Sequence, residues 1–164
     1  MIKPRQILVA TDFSESSLAA VRQATELAEA FGARLDVLHV VEEPFGYLGG
    51  IHGYLPEVDA FREMLNNAAR TQLHQVLKPE DVQRWQARLS LRTGTPYVEI
   101  VRFAKDEGVD LIVIGTHGRG PVWHMLLGSV AEKVVRYAHC PVLTVPSPAQ
   151  QPDPHAIVPP ASDV

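Results

Sequence analysis

The 164-residue sequence has almost no cysteine, no long hydrophobic run and no cluster of basic residues. The single cysteine, Cys140, excludes an intrachain disulfide and a cysteine-based metal cluster, and its place before an apolar run favours a buried, unreactive thiol. No apolar run approaches the roughly 20 residues that span a bilayer, and the N-terminal run is too short for a signal peptide. These absences predict a cytoplasmic protein that makes no membrane contact.

The charge is also low and unpatterned. A formal net charge of -4, with Lys and Arg scattered singly, excludes the basic field typical of nucleic-acid-binding proteins. Seven histidines are present, but their spacing does not match a zinc site. We interpret His117 and His124 as structural or solvent-exposed, with a place beside a phosphate as the alternative for His117. The length suits one domain with a substantial core.

Five short apolar runs alternate with segments of helical period. The first and fourth runs are continuous, as in strands buried on both faces, whereas the second and third alternate and are predicted nearer a sheet edge. Regular alternation of strands and helices predicts parallel strands joined by right-handed crossovers, in a doubly wound α/β sheet. The predicted strands are Ile7–Thr11, Leu35–Val41, Ala87–Leu91, Leu111–Ile114 and Val142–Val145.

Capping signals bound three of the intervening helices. In chain order the bounding residues are Ser14 and Gly32, then Thr95 and Gly108, then Ser129, which is spaced from Glu132 as a capping box. The first helix is predicted to bury Leu18, Val21, Thr25, Ala28 and Phe31, and the last to bury Val130, Ala131, Val134, Val135 and Ala138.

Two segments depart from this regularity. Residues 42–57 combine four glycines with three aromatic residues, which predicts a mobile loop leading into a long helix that ends near Leu77. Five prolines follow Pro146, so residues 147–164 cannot form a helix or a central strand and are predicted to be an extended or disordered extension. The predicted domain is therefore residues 1–146.

The segment "GTHGRGPVWHMLLGSV" follows the fourth predicted strand and carries four glycines. Gly115, Gly118 and Gly120 can adopt positive φ and let backbone amides approach an anion, and the helix after Gly128 adds its N-terminal amides. The segment lacks the Lys of a Walker A loop, and no glycine follows the first strand as a dinucleotide fingerprint requires. Considered alone, it fits equally well a turn followed by a helix cap.

Asp12 follows the first strand directly. A carboxylate there either caps the next helix or has a role in binding, in which it accepts hydrogen bonds from a ribose hydroxyl or helps to hold a divalent metal near phosphates. If the first and fourth strands are neighbours, Asp12 and the glycine-rich segment border one crevice at the carboxyl ends of the strands, where open α/β sheets bind ligands. The sequence alone leaves that adjacency open.

The combined pattern resembles a known family. Gly115, two residues, Gly118, nine residues, Gly128 and Ser129 match in spacing the G-2x-G-9x-G-(S/T) motif of nucleotide-binding universal stress proteins. The opening "ILVATDFSESSLAAVRQATELA" resembles the first strand and helix of that family, and "HCPVLTVP" its last strand. The resemblance covers residues 1 to about 146.

The resemblance implies a three-layer, Rossmann-like fold of the adenine nucleotide alpha hydrolase type, with an open parallel five-stranded sheet of order 3-2-1-4-5. It implies ATP as the ligand, often with Mg²⁺ or Mn²⁺, and a homodimer formed through Val142–Val145. Asp12 would meet the ribose, the end of strand two the adenine, and the motif residues the ribose and phosphates. The implied nucleotide-binding residues are Ala10, Thr11, Asp12, Val40, Val41, Gly115, Thr116, His117, Gly118, Arg119, Gly128, Ser129 and Val130.

Three functions are therefore compared. The first is an ATP-binding regulatory module of the stress response, with slow hydrolysis at most because the sequence offers no general base or arginine finger. The second is a dimeric interaction protein of the same fold that does not use nucleotide. The third is an adenylating or pyrophosphatase-type enzyme, which the missing Ser-Gly-Gly-x-Asp-Ser loop after strand one disfavours.

Overall fold

The computed structural model describes residues 3–42, 56–116 and 127–146. Most of the predicted loop at 42–57, residues 117–126 of the glycine-rich segment and the proline-rich extension lie outside the described residues. In chain order the elements are β1 Gln6–Ala10, α1 Glu15–Phe31, β2 Arg34–Val41, α2 Pro56–His74, α3 Pro79–Arg84, β3 Arg88–Thr93, α4 Pro96–Glu107, β4 Leu111–Gly115, α5 Ser129–Tyr137 and β5 Val142–Val145.

The five strands form one parallel sheet in the order β3-β2-β1-β4-β5. This confirms the predicted fold class and the implied strand order. β1 and β4 are neighbours, with Ala10 paired to Ile114, so the segments that follow these two strands start side by side. The winding direction reverses between them, which is where open α/β sheets bind ligands.

The prediction that the second and third runs lie nearer an edge is confirmed for β3, an edge strand of the described sheet, and β2 lies directly beside it. β2 itself is paired on both sides, with β1 and β3. The polar residues that make "LDVLHVV" alternate are buried with partners rather than exposed to solvent. Asp36 is 0% exposed and accepts hydrogen bonds from Gln6 Nε2 and Arg88 Nε, both at 2.7 Å. A buried carboxylate is tolerated only when it is paired in this way.

An ion-pair network ties the edge strand β3 to the sheet at the end opposite the carboxyl edge. Arg88 bridges Asp36 to Glu107, with 2.7 Å between Arg88 Nη2 and Glu107 Oε2. The hydrogen bond from Arg88 holds the pKa of Glu107 below its usual value, and that same bond raises the pKa of Arg88. The network stabilises the fold and contributes no atom to the cleft described below.

Successive side chains of the central strands point to opposite faces of the sheet and pack into two apolar cores, one on each face. Ile7, Val9 and Val113 pack with α1 and with the end of α2, whereas Leu8 and Ile112 pack with α4 and α5. The result is a three-layer structure, helices on sheet on helices. In the described part of the chain, no helix is long and apolar enough to cross a membrane.

Several local predictions are confirmed. Ser14 caps α1 by accepting a hydrogen bond from the amide of Ser17, and Gly32 and Gly108 adopt left-handed φ values of 64° and 68° after α1 and α4. Thr95 occupies the N-cap position of α4 without a side-chain bond. α3, which begins at Pro79, was not predicted, because its six residues include a single apolar side chain beside the proline, Val82, and show no helical period.

The predicted helix faces are partly wrong. On α1, Val21 and Ala28 are buried as expected, but the rest of the buried face consists of small side chains, which let the helix lie close to the sheet. These are Ser16, Ser17, Ala19, Ala20 and Ala24. On α5, Val135 is 48% exposed rather than buried. Leu18, Thr25, Phe31, Val130 and Ala138 are half-buried.

Cys140 is half-buried against the α4–α5 core, so the prediction of a fully buried thiol is wrong in degree. Burial nevertheless raises the pKa of the Cys140 thiol. Little of the thiolate, which is the reactive form, is therefore present at neutral pH. The side chain behaves as a small apolar group.

Candidate functional site

A cleft of about 580 Å³ opens at the carboxyl ends of β1, β2 and β4. Its volume falls in the range of about 300–1,000 Å³ that is typical of small-molecule sites. The starts of α4 and α5 and one face of α2 complete the walls. Ten of the thirteen residues implied by the resemblance line it: Ala10, Thr11, Asp12, Val40, Val41, Gly115, Thr116, Gly128, Ser129 and Val130. The other three, His117, Gly118 and Arg119, lie outside the described residues.

The segment after β1 folds back on itself around the carboxylate of Asp12. Asp12 Oδ1 accepts hydrogen bonds from the Ser14 amide at 3.0 Å and from the Ser14 hydroxyl at 2.5 Å. Asp12 thus holds the N-cap of α1 and also lines the cleft. The sequence left two roles open for Asp12, as a partner of the helix start and as a cleft residue. In the structure it has both positions at once.

Two hydroxyl groups stabilise the same turn from below. The Phe13 amide donates to Thr11 Oγ1 at 3.0 Å, and Thr11 Oγ1 lies 3.0 Å from Ser17 Oγ. Ser17 Oγ donates to the Ser14 carbonyl at 3.0 Å, so its only proton is used. Since each hydroxyl has one proton, the Thr11 hydroxyl must donate to Ser17 Oγ, which also accepts from the Asp12 amide at 3.3 Å. In each hydrogen bond of this series, the donor and the acceptor are therefore assigned.

The two described ends of the glycine-rich segment are joined by backbone hydrogen bonds. Gly128 N donates to the Thr116 carbonyl at 2.6 Å, and Thr116 N donates to the Val145 carbonyl at 2.9 Å. The segment therefore leaves β4 and returns to α5 at the same point, beside the end of β5. This closure places Thr116, Gly128 and Ser129 on one wall of the cleft.

Gly115 does not use the conformational freedom of glycine, contrary to the expectation of a positive φ; it is the last residue of β4. A Cβ atom at this position would lie 2.6 Å from Ser16 Oγ and 2.8 Å from the Ser16 carbonyl carbon. Glycine is therefore required by the close approach of α1 to β4. Gly128 also has an ordinary φ, -67°.

The predicted capping box at α5 is wrong. Gly128 occupies the N-cap position, Ser129 is the first helical residue, and the Glu132 carboxylate pairs with Arg136. The reason is the bond from Gly128 to Thr116, which fixes Gly128 at the junction and lets the helix begin one residue earlier than a Ser129 cap would allow. Ser129 thus lies at the cleft wall with the first helical amides, which have no partner inside the helix and favour an anion.

The carboxylate side chains make the described wall of the cleft acidic. Asp12 and Glu42 line it, and no Lys or Arg does so among the described residues. No group of three or more His, Cys, Asp or Glu side chains is arranged to hold a metal ion within the described ranges. The donor set there fits a divalent cation that is held by Asp12 and by ligand oxygens, which is the usual manner of Mg²⁺ with phosphates.

The sequence-based search missed two parts of this site. His39 and Ser17 line the cleft, and the only signal for His39 was a polar residue near the end of a buried strand. The second part is the wall from α2. No local pattern points to it, because its position depends on how α2 packs across β2 and β3. The α2 residues at the cleft are Leu65, Ala68, Ala69 and Gln72.

The fold and the cleft define an open, doubly wound α/β protein with a small-molecule cleft at the carboxyl edge of its sheet. Comparison with known proteins gives the family: the profile of the universal stress protein family matches residues 3–146. The chain belongs to the universal stress protein family.

Individual relatives agree with this assignment. Universal stress protein MJ0531 of Methanocaldococcus jannaschii is 34% identical over 148 residues, which cover 90% of this chain and 85% of that protein. A Thermus aquaticus universal stress protein is 38% identical over 141 residues, 86% of this chain and 98% of its own. The solved structure of M. jannaschii MJ0577 superposes with a TM-score of 0.77 at 28% identity, covering 88% of this chain and 97% of that one.

Proposed function

We propose that this universal stress protein binds ATP in the cleft and acts as a regulatory module of the stress response, with slow hydrolysis at most. The observation that carries the proposal is the convergence of residues distant in sequence: the ends of β1, β2 and β4 and the start of α5 all supply residues implied by the resemblance to a single cleft. These walls enclose an open space of about 580 Å³ at the point where open α/β sheets bind ligands, which a plain connection from β4 to α5 would not require.

The cleft divides into parts that suit the parts of a nucleotide. Val40 and Val41 of β2, together with the apolar face of α2, form the wall for the adenine. Asp12 accepts hydrogen bonds from the ribose, and Gly128 and Ser129 present helix amides to the phosphates. Mg²⁺ or Mn²⁺ would be held by Asp12 and the phosphate oxygens and would neutralise charge between them.

Related folds hold adenine nucleotides. A universal stress protein was solved in complex with cAMP, and one from Archaeoglobus fulgidus in complex with dAMP. At 24% and 23% identity these two proteins share the fold with this chain, with TM-scores of 0.56 and 0.55. They are reason to include cyclic and monophosphate adenine nucleotides, beside ATP, in the binding measurements.

The first experiment is titration of the purified protein with ATP and Mg²⁺ by calorimetry, for the unmodified chain and for Asp12→Asn. We expect saturable binding by the unmodified chain and a loss of about tenfold in the variant, because a hydrogen bond to a charged acceptor is about twice as strong as a neutral one. Asparagine keeps an oxygen for Ser14, so the N-cap of α1 and the melting temperature should be preserved.

The matched control is Glu26→Gln, which removes an exposed carboxylate of α1 outside the cleft and should leave ATP affinity unchanged. Absence of saturable binding at millimolar ATP would contradict the proposed function. It would favour the interaction protein that does not use nucleotide. Equal affinity of Asp12→Asn and the unmodified chain would exclude a role for Asp12 in binding.

We also propose a homodimer through β5. β5 is an edge strand, and edge strands offer unpaired backbone groups to a partner. Leu143 is 37% exposed on this strand, and Tyr137 is 57% exposed on the preceding helix. We expect Leu143→Lys to shift sedimentation from dimer to monomer with no loss of helical circular dichroism. A monomeric unmodified chain at micromolar concentration would contradict this assembly.

A further inference from the structure

Phe13, directly after Asp12, has a backbone conformation that a large side chain rarely adopts. Its φ is 66°, in the left-handed region, where a bulky residue that is not glycine carries strain of about 1–3 kcal/mol. Such a conformation persists only when the surroundings hold it. Two contacts do so: the Phe13 amide donates to Thr11 Oγ1, and the Phe13 ring packs on the His39 ring with 4.3 Å between centroids.

His39 also fixes the residue on the other side of Asp12. The imidazole is 9% exposed, and Nδ1 lies 2.7 Å from the Thr11 carbonyl oxygen. A carbonyl oxygen only accepts hydrogen bonds, so Nδ1 must be the donor and must carry a proton. The contact therefore selects one tautomer of the neutral ring, with Nε2 unprotonated.

A single side chain on β2 thus holds both neighbours of Asp12. Its Nδ1–H bonds the carbonyl of Thr11, and its ring face supports Phe13 in the left-handed conformation. Asp12 lies between these two points, and its carboxylate is joined to Ser14. The direction of that carboxylate depends on the backbone on both sides, because φ at Phe13 sets how the chain turns from Asp12 into α1.

From this geometry we propose that His39 is a positioning residue for Asp12: it holds the Thr11–Phe13 turn so that the Asp12 carboxylate meets the ribose hydroxyls of a nucleoside ligand. The inference deepens the proposed function and rests on it. His39 acts through the turn, by its Nδ1 donor and by its ring. His39 therefore affects the affinity of the ligand at Asp12 by holding this turn, in addition to filling space in the core.

The test compares His39→Leu with His39→Asn by calorimetric titration with ATP and Mg²⁺. Asparagine places an N–H donor at the same distance from Cβ as Nδ1, whereas leucine fills space without a donor. We expect His39→Leu to lower ATP affinity by about tenfold and His39→Asn to lower it by no more than about threefold. Equal losses in the two variants would overturn the proposal, because a packing role predicts no advantage for asparagine.

A double-mutant cycle with Asp12→Asn shows whether His39 acts through Asp12. If it does, adding His39→Leu to Asp12→Asn should cost less than about twofold, since the group being positioned is already impaired. A structural role elsewhere in the fold predicts that the two losses multiply. Multiplicative losses would therefore overturn the proposal, whatever the melting temperatures of the variants.

A ligand-free measurement separates failure of this inference from failure of the proposed function. Nitrogen-15 spectra of the His39 ring should show a proton on Nδ1. The amide shifts of Asp12, Phe13 and Ser14 should move in His39→Leu and return toward the unmodified values in His39→Asn. If the unmodified chain binds no ATP, the proposed function fails and the assigned role of His39 at a nucleoside fails with it. If ATP binds but the amide shifts do not move, the positioning role alone is overturned.

Discussion

Gly115→Ala should lower the free energy of unfolding by about 3 kcal/mol and the melting temperature by about 9 °C. The added Cβ would lie 2.6 Å from Ser16 Oγ, 2.8 Å from the Ser16 carbonyl carbon and 2.9 Å from its oxygen. Two of these three atoms belong to the backbone of α1, so no rotation of a side chain relieves the overlap. Either α1 moves away from β4 or the strand end shifts, and both disturb the first turn of the helix that Ser14 caps.

Gly108→Ala is the matched control for this substitution. Gly108 has a φ of 68°, and no neighbouring atom lies within 4 Å of the place that an added Cβ would take, so alanine there introduces backbone strain without overlap. We expect a loss of about 1 kcal/mol for it, measured by urea denaturation beside Gly115→Ala. A smaller loss at Gly115 than at Gly108 would contradict the packing explanation.

The requirement for Gly115 shows why the motif was only partly understood from the sequence. The spacing of the glycines indicates a ligand loop, yet this first glycine is needed because α1 approaches β4 closely. Ser16 and Gly115 belong to elements far apart in the chain, and their contact exists only once β1 and β4 pair. A local pattern carries no information about such a contact.

Most of the fold could be predicted, because each buried strand is a short apolar run and most of the helices carry caps. The errors have a common physical origin. β2 alternates like a half-exposed strand because Asp36 and His39 interrupt its apolar pattern, but both side chains are buried with partners from other strands or loops. α3 carries no apolar period, and its apolar side chain Val82 packs against the core on the α1 face of the sheet.

The candidate site was predicted in part: the expected residues at the strand ends and at the start of α5 line the cleft, but its wall from α2 was missed. Residues at strand ends were accessible to sequence reasoning, because the carboxyl ends of neighbouring parallel strands meet at one edge. The α2 wall, with Leu65 and Gln72, was not accessible, because helix packing across the sheet depends on the whole fold. The roles of the site residues in ligand binding remain predictions that the titrations above address.

Arg88→Met should lower the free energy of unfolding by about 2–3 kcal/mol, measured by urea denaturation at neutral pH. Breaking a buried ion pair from one side typically costs about 3–5 kcal/mol, since the remaining charge stays buried without its partner. Asp36 is 0% exposed and would retain only the bond from Gln6. The Arg88 side chain is 42% exposed, so solvent weakens the pair and the expected loss is smaller. Methionine keeps an unbranched side chain but removes the guanidinium carbon that lies 5.1 Å from the Phe103 ring centroid.

Replacing Asp36 as well separates the buried charge from the lost contact. Asp36→Asn in the Arg88→Met background removes the unpaired charge and should recover about 1–2 kcal/mol, because a neutral amide is less costly to bury than a carboxylate. Asp36→Asn alone should destabilise, since Arg88 then loses an ionic partner. No recovery in the double variant would mean that the lost packing of Arg88, and not the charge of Asp36, sets the cost.

The pH dependence of the free energy of unfolding is a second test of the same ion-pair network. The hydrogen bond from Arg88 lowers the pKa of Glu107 below its ordinary value of 4.5. A group with a lowered folded pKa contributes stability that is complete above its unfolded pKa and is lost as the pH falls through the lower folded value. The unmodified chain should therefore lose stability below pH 4.5 in part through Glu107, and Arg88→Met should lose less over the same acid range, because the main cause of the lowered pKa is gone. Parallel acid profiles for the two proteins would show that Glu107 does not depend on Arg88 in solution.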